Sequence, residues 1–140
     1  MKNFVVIATL ATLFFGQTAI AQETNADIYT CNFKGTNNQI LPKKILLARS
    51  DADGSFKAAD PIVRYFTGDD ANASVIREND KILSLKWSYT YINRKGIQAT
   101  VLVNFSLQKK KNKAQITSTV PGYADHGNAR GTCALTRGNV

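Results

Sequence analysis

The chain has 140 residues, with 18 Lys and Arg against 10 Asp and Glu for a formal charge of +8, and only one His and two Cys. That length suits one domain, and the basic balance favours anionic partners. One His with two Cys falls short of the ligands a usual zinc site takes.

Residues 1–21 read as a secretory signal peptide. Lys2 gives a positive start, residues 4–15 are almost unbroken apolar, and Ala19 and Ala21 are the small residues before Gln22. The apolar run is shorter than the roughly 20 residues a membrane-spanning helix needs. No cysteine closes it, which argues against a lipid anchor. The expectation is an exported mature chain, residues 22–140, forming a single β domain. It has no transmembrane segment, and its compartment is periplasmic or extracellular.

Residues 27–33 alternate, with Tyr29, Cys31 and Phe33 on one face, as in a half-buried strand. Residues 35–38 read as a turn, and residues 40–48 as a strand whose start Pro42 restricts. Asp51-Ala52-Asp53-Gly54 is a strong turn signal. Asp60 and Pro61 fit the N-cap and first position of a short helical turn. Residues 68–72 read as loop, and 73–77 as a short strand.

The clearest pattern follows. Leu83, Leu85, Trp87, Tyr89 and Tyr91 alternate with Ser84, Lys86, Ser88 and Thr90. After a turn at 93–96, Ile97, Ala99, Val101, Val103, Phe105 and Leu107 form a second buried face, which Leu102 interrupts from the other side. A lysine-rich turn leads to a third strand, with Ala114, Ile116, Ser118 and Val120 inward. Residues 122–131 read as a Gly-rich loop, and 131–136 as a final strand. These features predict an all-β fold: an antiparallel meander, barrel or sandwich, of about seven or eight strands.

Cys31 and Cys133 predict one disulfide clasping the two ends of the domain. Charge is uneven along the chain. Residues 51–80 hold seven acids and three bases, whereas residues 94–140 hold eight bases and the single acid Asp125.

Tyr29-Thr30-Cys31, residues 60–66 (DPIVRYF), and Pro121-Gly122-Tyr123 leading to Gly131-Thr132-Cys133 together resemble a group of small uncharacterised exported bacterial proteins with one terminal cysteine clasp. That resemblance brings no activity with it. The opening Tyr-x-Cys is also similar to periplasmic inhibitors of c-type lysozyme, which implies a small disulfide-clasped β-barrel. Their Ser-Gly-x-x-Tyr loop is absent here.

No catalytic set, cofactor motif or metal site is assigned. Asp51-x-Asp53-x-Ser55 starts like a calcium loop, but Phe56 and Ile62 occupy the places that need Gly and Glu. Asp125 and His126 are the one adjacent acid–base pair, and no nucleophile motif accompanies them. The expected function is non-enzymatic binding of an anionic envelope component or acidic protein. Its expected contacts are the basic turns Arg94, Lys95, Lys109, Lys110, Lys111 and Lys113. The alternative is a carrier for a small apolar ligand, with Trp87, Tyr89 and Tyr91 lining a barrel interior. An enzyme of unassigned type, built on Asp125 and His126, comes third. Export weighs against a nucleic-acid role.

Overall fold

A computed structural model describes residues 25–35 and 40–139. The signal-peptide segment and most of the turn expected at 35–38 lie outside the described residues.

Alternating apolar side chains make half-buried strands, and short polar turns reverse the chain between them. The elements in order are β1 (Asn25–Lys34), β2 (Lys44–Ser50), β3 (Phe56–Ala59), α1 (Pro61–Thr67), β4 (Ala71–Glu78), β5 (Ile82–Ile92), β6 (Gln98–Gln108), β7 (Lys113–Thr119) and β8 (His126–Asn139). Each strand pairs antiparallel with the next, and β8 pairs with β1, so the eight close into a barrel. The barrel, not the sandwich, is therefore the fold.

Local chemistry sets the reversals. The Asn79 carboxamide oxygen accepts from the backbone N–H of Lys81 and Ile82, both at 2.9 Å. Asn93 does the same for Lys95 and Ile97. These Asx turns satisfy backbone donors that the ladder leaves over. A 3-10 turn, Lys109–Lys111, followed by Asn112 in the left-handed region, joins β6 to β7.

Eight strands enclose a space that side chains can fill or a small ligand can occupy. Here side chains fill it. Phe56, Phe105, Ile45, Leu47, Leu83, Leu85, Leu107, Ile116, Val101 and Val103 are at most 2% exposed. Burying each such group contributes roughly 1.5–3 kcal/mol. The outward positions carry Ser, Thr, Asn, Gln, Lys and Arg with scattered apolar residues. A lipid-embedded barrel has the reverse arrangement, an apolar outer band. Among the described residues no helix is long and apolar enough to cross a membrane.

Ile97, expected on the buried face of the second long strand, precedes β6 and is 47% exposed. Two elements also differ from expectation. β3 gave no clear signal, because Phe56-Lys57-Ala58-Ala59 is four residues long with two small alanines. β8 begins at His126, so the segment read as a Gly-rich loop is half strand; its ladder with β7 runs from His126 opposite Thr119 to Thr132 opposite Lys113. Cross-strand pairing overrides the weak strand preference of Gly and Asn there.

α1 covers one end of the barrel. Asp60, only 1% exposed, caps it by accepting from the N–H of Ile62 (2.8 Å) and Val63 (3.4 Å), and it also accepts from the Trp87 indole N–H at 3.4 Å. Phe66 lies over Tyr89 and Tyr91, with ring centroids 5.9 and 5.1 Å away. Burial, only partly opposed by those three hydrogen bonds, raises the Asp60 pKa above its ordinary value. The stability this group contributes is thus fully present below the unfolded carboxylate pKa and is lost as pH rises through the folded value. Asp60→Ala is expected to cost about 2 kcal/mol, from a lost cap and an unpaired buried indole N–H. Urea unfolding across the acid range checks both points: the variant should be less stable at pH 4, with a smaller fall as pH increases. An unchanged midpoint and slope would remove Asp60 as the anchor of α1.

Candidate anion-binding face

The residues singled out by sequence fall into three places. Cys31 and Cys133 are directly opposite across the β1–β8 seam and form the disulfide, with an S–S distance of 2.02 Å. A disulfide persists in oxidising, non-cytoplasmic surroundings.

Trp87 and Tyr89 are packed in the barrel interior, each 4% exposed, and Tyr91 is half-buried under Phe66. The Tyr89 hydroxyl is buried with no hydrogen-bond partner among the described residues, and burial raises its pKa. The aromatic row is therefore part of the core, and only its Tyr91 end reaches the rim.

The basic turns do not lie together. Arg94 and Lys95 sit in the β5–β6 turn, and Lys109, Lys110 and Lys111 sit in the β6–β7 turn, at opposite ends of β6. Eleven extended residues separate those ends by about 33 Å. A compact partner therefore meets one turn or the other. Lys109 is also partly neutralised, since its ammonium lies 3.7 Å from Glu78, which in turn pairs with Arg49 at 3.2 Å.

Lys113 belongs to a larger array that the sequence does not reveal. It faces outward on β7, opposite Thr132 of β8. Two residues back along β8, Arg130 also faces outward, directly opposite Lys34 of β1. Asn32, two residues before Lys34, is opposite Lys44 of β2. Four adjacent strands thus each present one exposed cation within one pleat repeat. The belt spans about 14 Å, three interstrand steps.

Like charges placed directly across a ladder repel, and Lys34 against Arg130 is such a pair. Among the described residues no carboxylate is ion-paired to either. Among the described residues of β7, β8, β1 and β2 the sole acid is Asp27, which is ion-paired to Arg137 at 3.0 Å. Asp27 is seven residues along β1 from Lys34, about 23 Å away. Five of the seven acids of the 51–80 stretch are in connections: Asp51 and Asp53 in the β2–β3 turn, Asp69 and Asp70 after α1, and Asp80 in the β4–β5 turn; Asp60 is the buried cap of α1 and Glu78 ends β4. Asp70 is held by the Arg64 guanidinium, which also lowers its pKa.

Beside the belt runs a shallow outward-opening groove of about 270 Å³, lined by Ser106, Gln108, Lys113, Ala114, Gln115 and Arg130. Gln115 donates from Nε2 to the Asn128 carboxamide oxygen at 3.2 Å, which fixes its side chain along the wall.

His126 opens β8 beside Asp125, and its Nδ1 lies 3.1 Å from the Ala124 carbonyl oxygen. Among the described residues no three His, Cys, Asp or Glu side chains gather as metal ligands.

Lys34, Lys44 and Arg130 are the members of this face that sequence reasoning misses. Each lies in a different segment, and only the register of the β7–β8, β8–β1 and β1–β2 ladders aligns them with Lys113. The chain matches no family model, no curated protein and no solved structure.

Proposed function

We propose that the protein is a non-enzymatic binding module that engages an anionic partner outside the cytoplasm through the side wall of its barrel. One observation carries this reading: Lys113, Arg130, Lys34 and Lys44 stand on four neighbouring strands with no carboxylate beside them among the described residues. Clustered cations of this kind raise the local concentration of anions and speed encounter with them. A partner's negative charges would also relieve the repulsion between Lys34 and Arg130. Lys110 and Lys111, exposed at the adjoining turn, extend the cationic surface, while Arg94 and Lys95 stand apart from it. The leader-like residues 1–21 and the disulfide support a periplasmic or extracellular setting.

The test compares two variants that remove equal charge. One replaces Lys34, Lys44, Lys113 and Arg130 with Gln; the other replaces Lys57, Lys86, Arg94 and Lys95 with Gln. Binding to dextran sulfate, polyglutamate and phosphatidylglycerol vesicles is measured from low to physiological salt. The first variant should lose about tenfold or more in affinity for at least one probe, since each surface cation near an anion contributes roughly 1 kcal/mol. The second should lose less than about twofold, and binding should weaken with salt. Equal losses would reduce the effect to net charge, and no binding at low salt would end the proposal.

A further inference from the structure

We propose that the groove between β6, β7 and β8 is a subsite for a uronate-bearing polysaccharide. Lys113 and Arg130 would hold a sugar carboxylate, and Ser106, Gln108 and Gln115 would meet ring hydroxyls. This rests on the cationic-belt reading and narrows its partner to one chemical class.

Three observations favour a charged sugar chain. The first is the pairing of charge with neutral polar groups. Gln115 is directly opposite Arg130 on one side and Ser106 on the other, and Lys113 is opposite Gln108. Cations and neutral hydrogen-bonding groups therefore stand side by side across three strands. A polymer that carries carboxylates and hydroxyls together matches both kinds of group, whereas a polymer with charge alone uses only the cations. An Arg guanidinium also suits a planar carboxylate, which it can bind through two parallel N–H donors.

The second observation is the shape. The groove is open along the wall, and its volume of about 270 Å³ lies below that of pockets that enclose a drug-sized ligand. It suits part of a chain that continues past it. The belt offers the continuation, because Lys34 and Lys44 extend the cationic line from Arg130 across β1 and β2.

The third is what the face lacks. Tyr29, Phe33 and Phe105, the aromatic residues of β1 and β6, all point into the core, so no outward ring on these strands can stack a base. No large apolar side chain lines the groove, so nothing there can enter the acyl boundary of a membrane.

The experiment titrates the full mature chain with alginate, a polyuronate, and with polyglutamate, which presents carboxylates without sugar hydroxyls, at matched ionic strength. Phosphatidylglycerol vesicles are titrated in parallel. Alginate is expected to bind about tenfold more tightly than polyglutamate, because several hydrogen bonds add to the charge contacts. Gln115→Ala should weaken alginate about threefold and leave polyglutamate unchanged, the latter showing that the variant is folded. Equal affinity for the two polymers, with no effect of Gln115→Ala, would overturn the polysaccharide subsite and leave the belt standing. Vesicle binding as tight as alginate binding would also overturn it, in favour of a membrane phosphate surface. No binding to any of the three would overturn the belt and the subsite together.

Discussion

Gly131→Ala is expected to cost about 4 kcal/mol or more of folding stability, the range in which single substitutions are exceptional. Gly131 lies on β8 where β8 meets β1, opposite Phe33. A β-carbon built there would stand 1.9 Å from the Asn32 carbonyl oxygen, 2.8 Å from its carbonyl carbon and 2.9 Å from the Phe33 Cα. All three are backbone atoms of β1, so no side chain can turn aside. The strands must part, and the ladder that closes the barrel weakens where they do. Glycine inside a strand marks such a close approach of backbones.

Gly138, on the same strand, is the control. Its added β-carbon would meet the Ile28 Cδ1 at 3.1 Å, the far end of a flexible side chain. Gly138→Ala should stay within about 1 kcal/mol of the parent. Urea midpoints of the two variants decide the matter. A Gly131→Ala protein as stable as Gly138→Ala would mean that the β1–β8 seam is looser than described.

Breaking the Cys31–Cys133 disulfide should cost about 3–5 kcal/mol. The cysteines are 102 residues apart in sequence, so the bond closes nearly the whole domain in the unfolded chain. It therefore removes much of the conformational freedom the chain gains on unfolding. Cys31 is fully buried and Cys133 is 6% exposed, so reduction also leaves two thiols inside the wall. Urea unfolding with and without reductant measures the difference, and a Cys31→Ala/Cys133→Ala variant separates the bond from the reagent. Both routes should shift the midpoint downward by similar amounts. No shift in either would mean that the β1–β8 ladder alone sets closure.

These two effects fall on one seam, for a physical reason. Seven of the eight strand pairs join neighbours in sequence, and short connections hold most of them. The β1–β8 pair joins the ends of the domain, so it carries the largest loop-closure cost. The disulfide and the close approach at Gly131 lie where that cost is met.

Much of this was legible in the residues. Leu83, Leu85, Trp87 and Tyr89 face the core as their alternation requires, and Leu102 is outward, 41% exposed, as its place in the pattern implies. Asp60 and Pro61 start a real helix, because a capping side chain and a fixed φ act within one turn of chain. β3 escaped notice because four residues carry too little periodicity to stand out from a turn. The first half of β8 escaped because Gly127, Asn128 and Gly131 prefer loops, and the partner strand β7 decides otherwise.

The candidate site was half legible. Lys113 announces itself within a run of lysines. Arg130, Lys34 and Lys44 do not, because nothing local marks a cation as the neighbour of one on another strand.

The sequence by itself determined what acts over a few residues: the strand faces, the turns, the helix cap, the charge asymmetry and the pair of cysteines available to bond. The tertiary structure decided closure, and with it which outward side chains meet. Alternation says only that a residue faces out, whereas neighbourhood on a barrel wall depends on register across every ladder. That register places Lys34 against Arg130 and Lys44 against Asn32.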